Sequence, residues 1–503
     1  MRKRFTLMVS CLLYGGMTFA QKAEIKLEPS KDAPQISRHI YGQFAEHLGR
    51  SIYDGFVRNG KIRTDVAAAL KKIKIPNLRW PGGCFADQYH WRDGIGPKLS
   101  RPKTVNANWG MVTEDNSFGT HEFLELCGMI GCEPYFAGNV GTGTPQEMSD
   151  WLEYLNFNGK SRLTELRAKN GHPEPFKVSF WGIGNESWGC GGSMRPDYYA
   201  NLYRQYNAYC HDYPGTPLKR IVSGANADDY NWTEVCMKNI PGRLMWGLSL
   251  HYYTWLGGNW PPSGSATVFG ESEYFNAMQQ SLHMEEIVTK HSAIMDKYDP
   301  DKKVALVVDE WGIWTAQEPD QPKDWLFQQN SLRDALIAAT TLNIFNNHAE
   351  RVKVANLAQT VNVIHSLILT KGEQMVLTPT YHVFDFMKAH QDAKLIPLSV
   401  ASPDYSFGGS SIKAVNASAS VDAAGVTNIT LVNMDANKVV TVTIPLSGSV
   451  VSAQVLTAAQ VNSFNDFGMA ASVKPAAFYG ASVNAGVLKV VMPPKSVVQL
   501  AVK

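Results

Sequence analysis

The chain is 503 residues long and carries 47 Lys+Arg against 45 Asp+Glu, a formal charge of +2. Hydrophobic residues at 44% and charged residues at 18% describe a globular protein and exclude disorder over most of the length. So near a balance leaves no electrostatic footprint for nucleic acid or an anionic membrane, and neither is expected as a partner.

At the N-terminus, Arg2-Lys3-Arg4, an apolar stretch over 5–13 and Thr18-Phe19-Ala20 have the three-part pattern of a secretory signal. Residues 1–20 are assigned to it, which predicts an exported protein, periplasmic or extracellular. Met8-Val9-Ser10-Cys11 offers an alternative, lipid anchoring through Cys11, but its apolar region is very short. No later stretch has the ~18 uninterrupted apolar residues that span a bilayer. Residues 23–29 alternate as a strand and stand outside the rhythm that follows. Residues 21–36 are therefore expected to join the C-terminal sheets.

Between 37 and 391 short apolar runs alternate with amphipathic stretches of helical length. The runs stand at 40–44, 77–80, 134–140, 180–186, 220–226, 248–254, 304–311 and 352–360. Val66, Ala69, Leu70 and Ile73 keep helical spacing, as do Leu332, Leu336, Ala339, Leu342 and Phe345. Eight such units predict an α/β fold of the (β/α)8 TIM-barrel type. A doubly wound sheet is the alternative, but the first turn lacks a glycine-rich phosphate loop. Composition shifts near 400: all 13 Trp lie at or before Trp325, and residues 401–503 contain no Glu and no Arg. Alternating runs at 426–434, 438–446, 450–456, 486–492 and 496–502 predict a β-sandwich over 392–503.

With Cys11 removed, six cysteines remain (Cys84, Cys127, Cys132, Cys190, Cys210, Cys236), without CxxC or Cys/His ligand spacing. No metal site is expected, and mostly free, buried thiols are.

Barrel active sites lie at the C-terminal ends of the strands. The fourth run ends in Gly184-Asn185-Glu186 and the seventh in Asp309-Glu310-Trp311. A single Glu at a strand end is more often salt-bridged or capping; two of them across one barrel mouth can flank a glycosidic bond. One then protonates the leaving oxygen while the other attacks or activates water. No cofactor is needed for that chemistry.

At these residues the sequence resembles the α-L-arabinofuranosidases of glycoside hydrolase family 51. The motifs are Tyr41-Gly-Gln-Phe-Ala-Glu46-His-Leu-Gly-Arg50, Leu78-Arg-Trp-Pro-Gly-Gly-Cys84-Phe and Tyr89-His-Trp-Arg-Asp-Gly-Ile-Gly-Pro97. Gly184-Asn-Glu186, Ser249-Leu-His251-Tyr-Tyr253, Asp309-Glu-Trp311 and Ala355-Asn-Leu-Ala-Gln-Thr-Val-Asn362 complete the set. The resemblance implies a retaining, exo-acting enzyme on arabinoxylan, arabinan or derived oligosaccharides, with Glu186 as acid/base and Glu310 as nucleophile. It further implies that Asn185 binds the sugar 2-OH, that Arg79 and Tyr253 stabilise the charge of the nucleophile, and that His251 supports Glu186. Glu46 and Gln359 match positions that bind sugar hydroxyls, and Trp109 and Trp314 match pocket walls. Cys84 stands where many relatives carry an Asn that contacts arabinose, and Gly312 also departs from a common Asn. Family members are usually oligomeric, often hexameric, so a homo-oligomer is expected. The same two carboxylates on a galactofuranoside, β-xyloside or β-glucan, or a silent carbohydrate-binding protein, are the competing readings.

Overall fold

The computed structural model describes residues 21–503. The expected leader and Cys11 lie outside the described residues. Eight parallel strands close into a barrel in chain order: Gly42–Phe44, Asn77–Trp80, Glu133–Gly138, Phe180–Ile183, Lys219–Asn226, Gly247–Trp255, Ala305–Trp314 and Val352–Leu357. Strand residues here are buried on both faces, because side chains fill the barrel inside and helices cover it outside. Helix Thr64–Lys72 buries Val66, Ala67 and Leu70, with Ile73 buried at its end and Ala69 only half-buried.

Two irregularities shape the barrel mouth. Along the seventh strand, His251 pairs with Glu310 after Ser249 pairs with Val307, and Trp311 pairs with Leu357 after Val308 pairs with Ala355. The seventh strand thus carries one extra residue against both neighbours. Such a bulge re-aims side chains, and Asp309 and Glu310, although consecutive, both face the barrel interior, where each pairs with Arg79. The fifth strand bulges against the sixth between Val222 and Ala225. There a Cβ on Gly224 would stand 1.6 Å from the Ser249 carbonyl oxygen, so only glycine fits.

Two further sheets face each other at the C-terminal end. A six-stranded sheet contains Val415–Val421, Thr427–Asn433, Ser496–Val502 and Val450–Leu456; a five-stranded one contains Val440–Pro445 and Val487–Met492. Strand Gln21–Leu27 lies within the five-stranded sheet, antiparallel to Leu398–Ala401 and parallel to Val440–Pro445. Among the described residues no helix is long and apolar enough to cross a membrane.

Helix Leu332–Asn347 joins the two halves. Its periodicity marks one apolar face, yet every residue from Leu332 to Asn346 is buried, because the six-stranded sheet covers the opposite side. That second face is polar, and its asparagines are paired. Asn343 donates to Asn416 Oδ1 at 2.8 Å and accepts from Ser418 Oγ at 2.6 Å, and Asn346 donates to Ser418 Oγ at 3.1 Å. Removing one member strands its partners without water, at about 1–3 kcal/mol per buried group. Asn343→Leu is accordingly expected to lower the urea midpoint of unfolding, and an unchanged midpoint would mean this network contributes nothing to the join.

Candidate active site

A pocket of about 570 Å³ opens at the C-terminal ends of the strands. Glu186, three residues beyond the fourth strand, sits at φ 39°, a left-handed backbone that non-glycine residues seldom adopt. Glu310 enters from the bulge of the seventh strand. One oxygen of Glu186, one of Glu310 and one nitrogen of His251 all lie within 4.8 Å of one another.

The second strand supplies the central cation. Arg79, 1% exposed, donates from Nη1 to Glu310 Oε1 at 2.8 Å and from Nη2 to Asn185 Oδ1 at 2.6 Å. Tyr253 donates its hydroxyl to the other Glu310 oxygen at 2.8 Å. Because Arg79 fixes the Asn185 carbonyl, the Asn185 amide nitrogen must face away; it is buried and has no protein partner. His251 bridges Glu186 Oε1 at 2.8 Å and Asp309 Oδ1 at 3.1 Å.

Across the pocket, Gln359 donates to Glu46 Oε2 at 3.2 Å, and the Phe85 N–H donates to Glu46 Oε1 at 2.9 Å. The Pro-Gly-Gly turn permits this approach: a Cβ on Gly83 would stand 3.1 Å from the Glu46 carboxylate and 3.3 Å from Glu310. Trp109 and Trp314 both line the pocket, as does Cys84. Eight of the eleven site residues singled out in the sequence line this cavity; Arg79, Asn185 and His251 lie behind it, Arg79 bonded to Glu310 and Asn185, and His251 to Glu186.

Other residues were not singled out. Asp309 pairs with Arg79 and His251 and accepts from the Tyr135 hydroxyl at 2.6 Å. Its place beside Glu310 was visible, but strict strand alternation would have turned it outward. Asp87 accepts from the backbone N–H of Val140, Gly141 and Asn185 at 2.7, 3.0 and 3.0 Å, fastening the loop after the third strand to the one after the fourth. Trp188, Trp255, Trp260 and Asn226 extend the pocket wall. The expectation of mostly free thiols is corrected at one pair: Cys84 and Cys190 form a disulfide, 106 residues apart in sequence, and both line the pocket. Cys127, Cys132, Cys210 and Cys236 are free.

Burial sets the proton affinities. It pushes the Glu186 carboxyl above the ordinary range, and the nearby Glu310 charge adds to this against the opposing His251 hydrogen bond. Glu46 rises to about 7 for the same two reasons, burial and Glu310. Burial works against a charged His251, but Glu310, Asp309 and Glu186 outweigh it and hold the imidazolium up to about 10. For Asp309 burial is outweighed by Arg79, His251 and Tyr135, which keep it below the usual carboxylate range.

Two family profiles match the chain: an α-L-arabinofuranosidase 1 domain over residues 69–256 and an α-L-arabinofuranosidase C-terminal domain over 309–496. An intracellular exo-α-L-arabinofuranosidase of Bacteroides ovatus is 50% identical, with 96% of each chain covered. The crystal structure of the family 51 arabinofuranosidase from Xanthomonas axonopodis pv. citri superposes with a TM-score of 0.93 at 45% identity, covering 96% of this chain and 100% of that one. The arabinose complex of the Thermotoga maritima α-L-arabinofuranosidase gives 0.83 at 31%, with the same coverage. The Bacteroides relative, intracellular by name, overturns the expectation of an exported, periplasmic or extracellular protein.

Asp87→Ala leaves the two buried N–H groups of Val140 and Asn185 without an acceptor, each costing about 1–3 kcal/mol. Thermal unfolding should shift clearly downward, and an unaltered transition would show that water replaces the carboxylate.

Proposed function

The chain belongs to glycoside hydrolase family 51, the α-L-arabinofuranosidases, and from that membership we infer a retaining, exo-acting α-L-arabinofuranosidase. It releases terminal non-reducing α-L-arabinofuranosyl residues from arabinoxylan, arabinan or oligosaccharides derived from them. One observation carries the reading: two carboxylates with oxygens within 4.8 Å of each other face one pocket in unlike surroundings. Carboxyl groups about 5–5.5 Å apart suit a covalent glycosyl-enzyme, whereas inversion needs about 6.5–9.5 Å to admit water.

Glu186 holds its proton through burial and gives it to the departing glycosidic oxygen. Glu310, its two oxygens bound by Arg79 and Tyr253, attacks the anomeric carbon as that bond breaks. Fixed in this way, the carboxylate meets the sugar without reorganising. In the second half Glu186, now ionised, takes a proton from water, which displaces Glu310 and regenerates both groups. The unpartnered Asn185 amide donates to the sugar 2-OH, a contact that strengthens as oxocarbenium character develops. Glu46 and Gln359 bind the remaining hydroxyls, and Trp109 and Trp314 wall the ring.

Hydrolysis of nitrophenyl glycosides tests the sugar. The α-L-arabinofuranoside should be preferred over β-D-galactofuranoside, β-D-xyloside and β-D-cellobioside, with turnover lost in Glu310→Ala. Preference for another sugar would overturn the substrate while leaving the two-carboxylate chemistry. With methanol as acceptor, retention yields the methyl α-L-arabinofuranoside; a β product would overturn the covalent mechanism. In His251→Asn the imidazolium that favours ionised Glu186 is gone, so Glu186 holds its proton to higher pH. The alkaline limb of kcat/KM should then move upward, and a downward shift would contradict the assignment of Glu186 as acid.

A further inference from the structure

The Cys84–Cys190 bond is a part of the pocket wall whose chemistry the hydrolysis does not use. Cys84 stands in the short helix Cys84–Gln88 just after the Pro-Gly-Gly turn, half-buried, and Asn108 donates to its carbonyl at 3.0 Å. Cys190 lies four residues after Glu186, exposed at the rim and flanked by Gly189, Gly191 and Gly192. Its sulfur, which carries no proton while bonded, stands 3.4 Å from Glu186 Oε2. One ligand atom each from Cys84, Cys190 and Glu186 falls within a 4.8 Å group, the sulfur-containing cluster of this kind among the described residues.

We propose that, once a thiol or phosphine reductant opens this disulfide, Cys84, Cys190 and Glu186 form a site for a thiophilic divalent cation of the zinc class, which withdraws Glu186 from catalysis. Opening the bond takes two electrons and two protons and gives two thiols, the reductant being oxidised in turn. Binding the cation then releases both thiol protons and the proton that Glu186 holds, and leaves two thiolates and a carboxylate on the metal. Tetrahedral zinc with bonds of about 2.3 Å to sulfur and about 2.1 Å to oxygen sets its ligand atoms roughly 3.6–3.8 Å apart. The Cys190 sulfur and the Glu186 oxygen already stand close to that separation. The two sulfurs must part, which rotation of the two cysteine side chains about their Cα–Cβ bonds permits. A water can fill the fourth position. His251, bonded to the other Glu186 oxygen at 2.8 Å, fixes the carboxylate from behind, as second partners of metal ligands do. Reducing compartments keep such pairs as thiols, so the cation-binding form is the one that prevails there.

The loss of activity rests on the role proposed for Glu186; the binding of the cation does not. The full chain, reduced with a phosphine and freed of metal, is titrated with Cd2+, a zinc analogue whose thiolate complexes absorb in the near ultraviolet. One equivalent should develop the thiolate band while hydrolysis of nitrophenyl α-L-arabinofuranoside falls at least tenfold, and a chelator should reverse both. Reduced Cys190→Ser should show neither change, and oxidised wild-type protein, whose fold is unaltered, should show neither. A reduced protein without the band, or a band that persists in Cys190→Ser, overturns the site. Equal inhibition of the oxidised protein would place the cation on Glu186, His251 and Glu310 instead. A band without inhibition overturns the withdrawal of Glu186. An enzyme inactive on this substrate from the outset would fail the functional reading, while the band would still decide the site.

Discussion

One buried guanidinium organises the barrel mouth. Arg79 contacts Glu310, Asn185 and Asp309 at once, and it is surrounded by more carboxylates than its single charge can balance. Glu46, Glu186, Glu310 and Asp309 converge on a space whose cations are Arg79 and the His251 imidazolium. Four ionised carboxylates against two cations in a low-dielectric interior would be costly, and such groups escape the cost by keeping protons. Burial does this for Glu46 and Glu186, whose proton affinities rise, while Asp309 stays ionised between Arg79 and His251. Raised proton affinity at Glu46 and Glu186 beside lowered affinity at Asp309 is the outcome of crowding these charges around one arginine.

Much of this was legible in the residues. Strand ends near 186 and 310 are read from apolar runs closing in acidic groups, and the barrel follows from eight such runs in order. Register is what a sequence conceals. Asp309 belongs to the site only because one extra residue in the seventh strand breaks the inward–outward alternation, and alternation is the assumption on which strand reading depends. The Cys84–Cys190 pairing is hidden for a different reason: it depends on two loops from separate strands meeting above the barrel. Asp87 acts entirely on backbone N–H groups, which every residue carries, so no side-chain pattern announces it.

The helix Leu332–Asn347 shows the same limit from the side of packing. Its leucines identify the face turned to the barrel, but their spacing says nothing of the asparagines opposite. Those meet Asn416 and Ser418 of the six-stranded sheet in a buried, matched network. A polar face can be buried whenever its partner is equally polar and the geometry pairs every group. The tail thus serves as a cover for the catalytic barrel, in keeping with its lack of tryptophan platforms for sugar.

The strand Gln21–Leu27 carries a consequence for biosynthesis. It pairs in parallel with Val440–Pro445, with Gln21 opposite Val440. On a ribosome this segment emerges before either of its neighbours, and Val440–Pro445 is made more than four hundred residues later. At about 5–20 residues per second the wait is on the order of tens of seconds. Throughout it an alternating apolar strand, with Ala23 and Ile25 destined for full burial, remains without its sheet. The barrel can close in the interval, since its eight strands lie in chain order, but the five-stranded sheet is completed only when Gln21–Leu27 pairs with Leu398–Ala401 and Val440–Pro445. Vectorial synthesis therefore leaves an unpaired strand edge on every nascent copy until those partners are made.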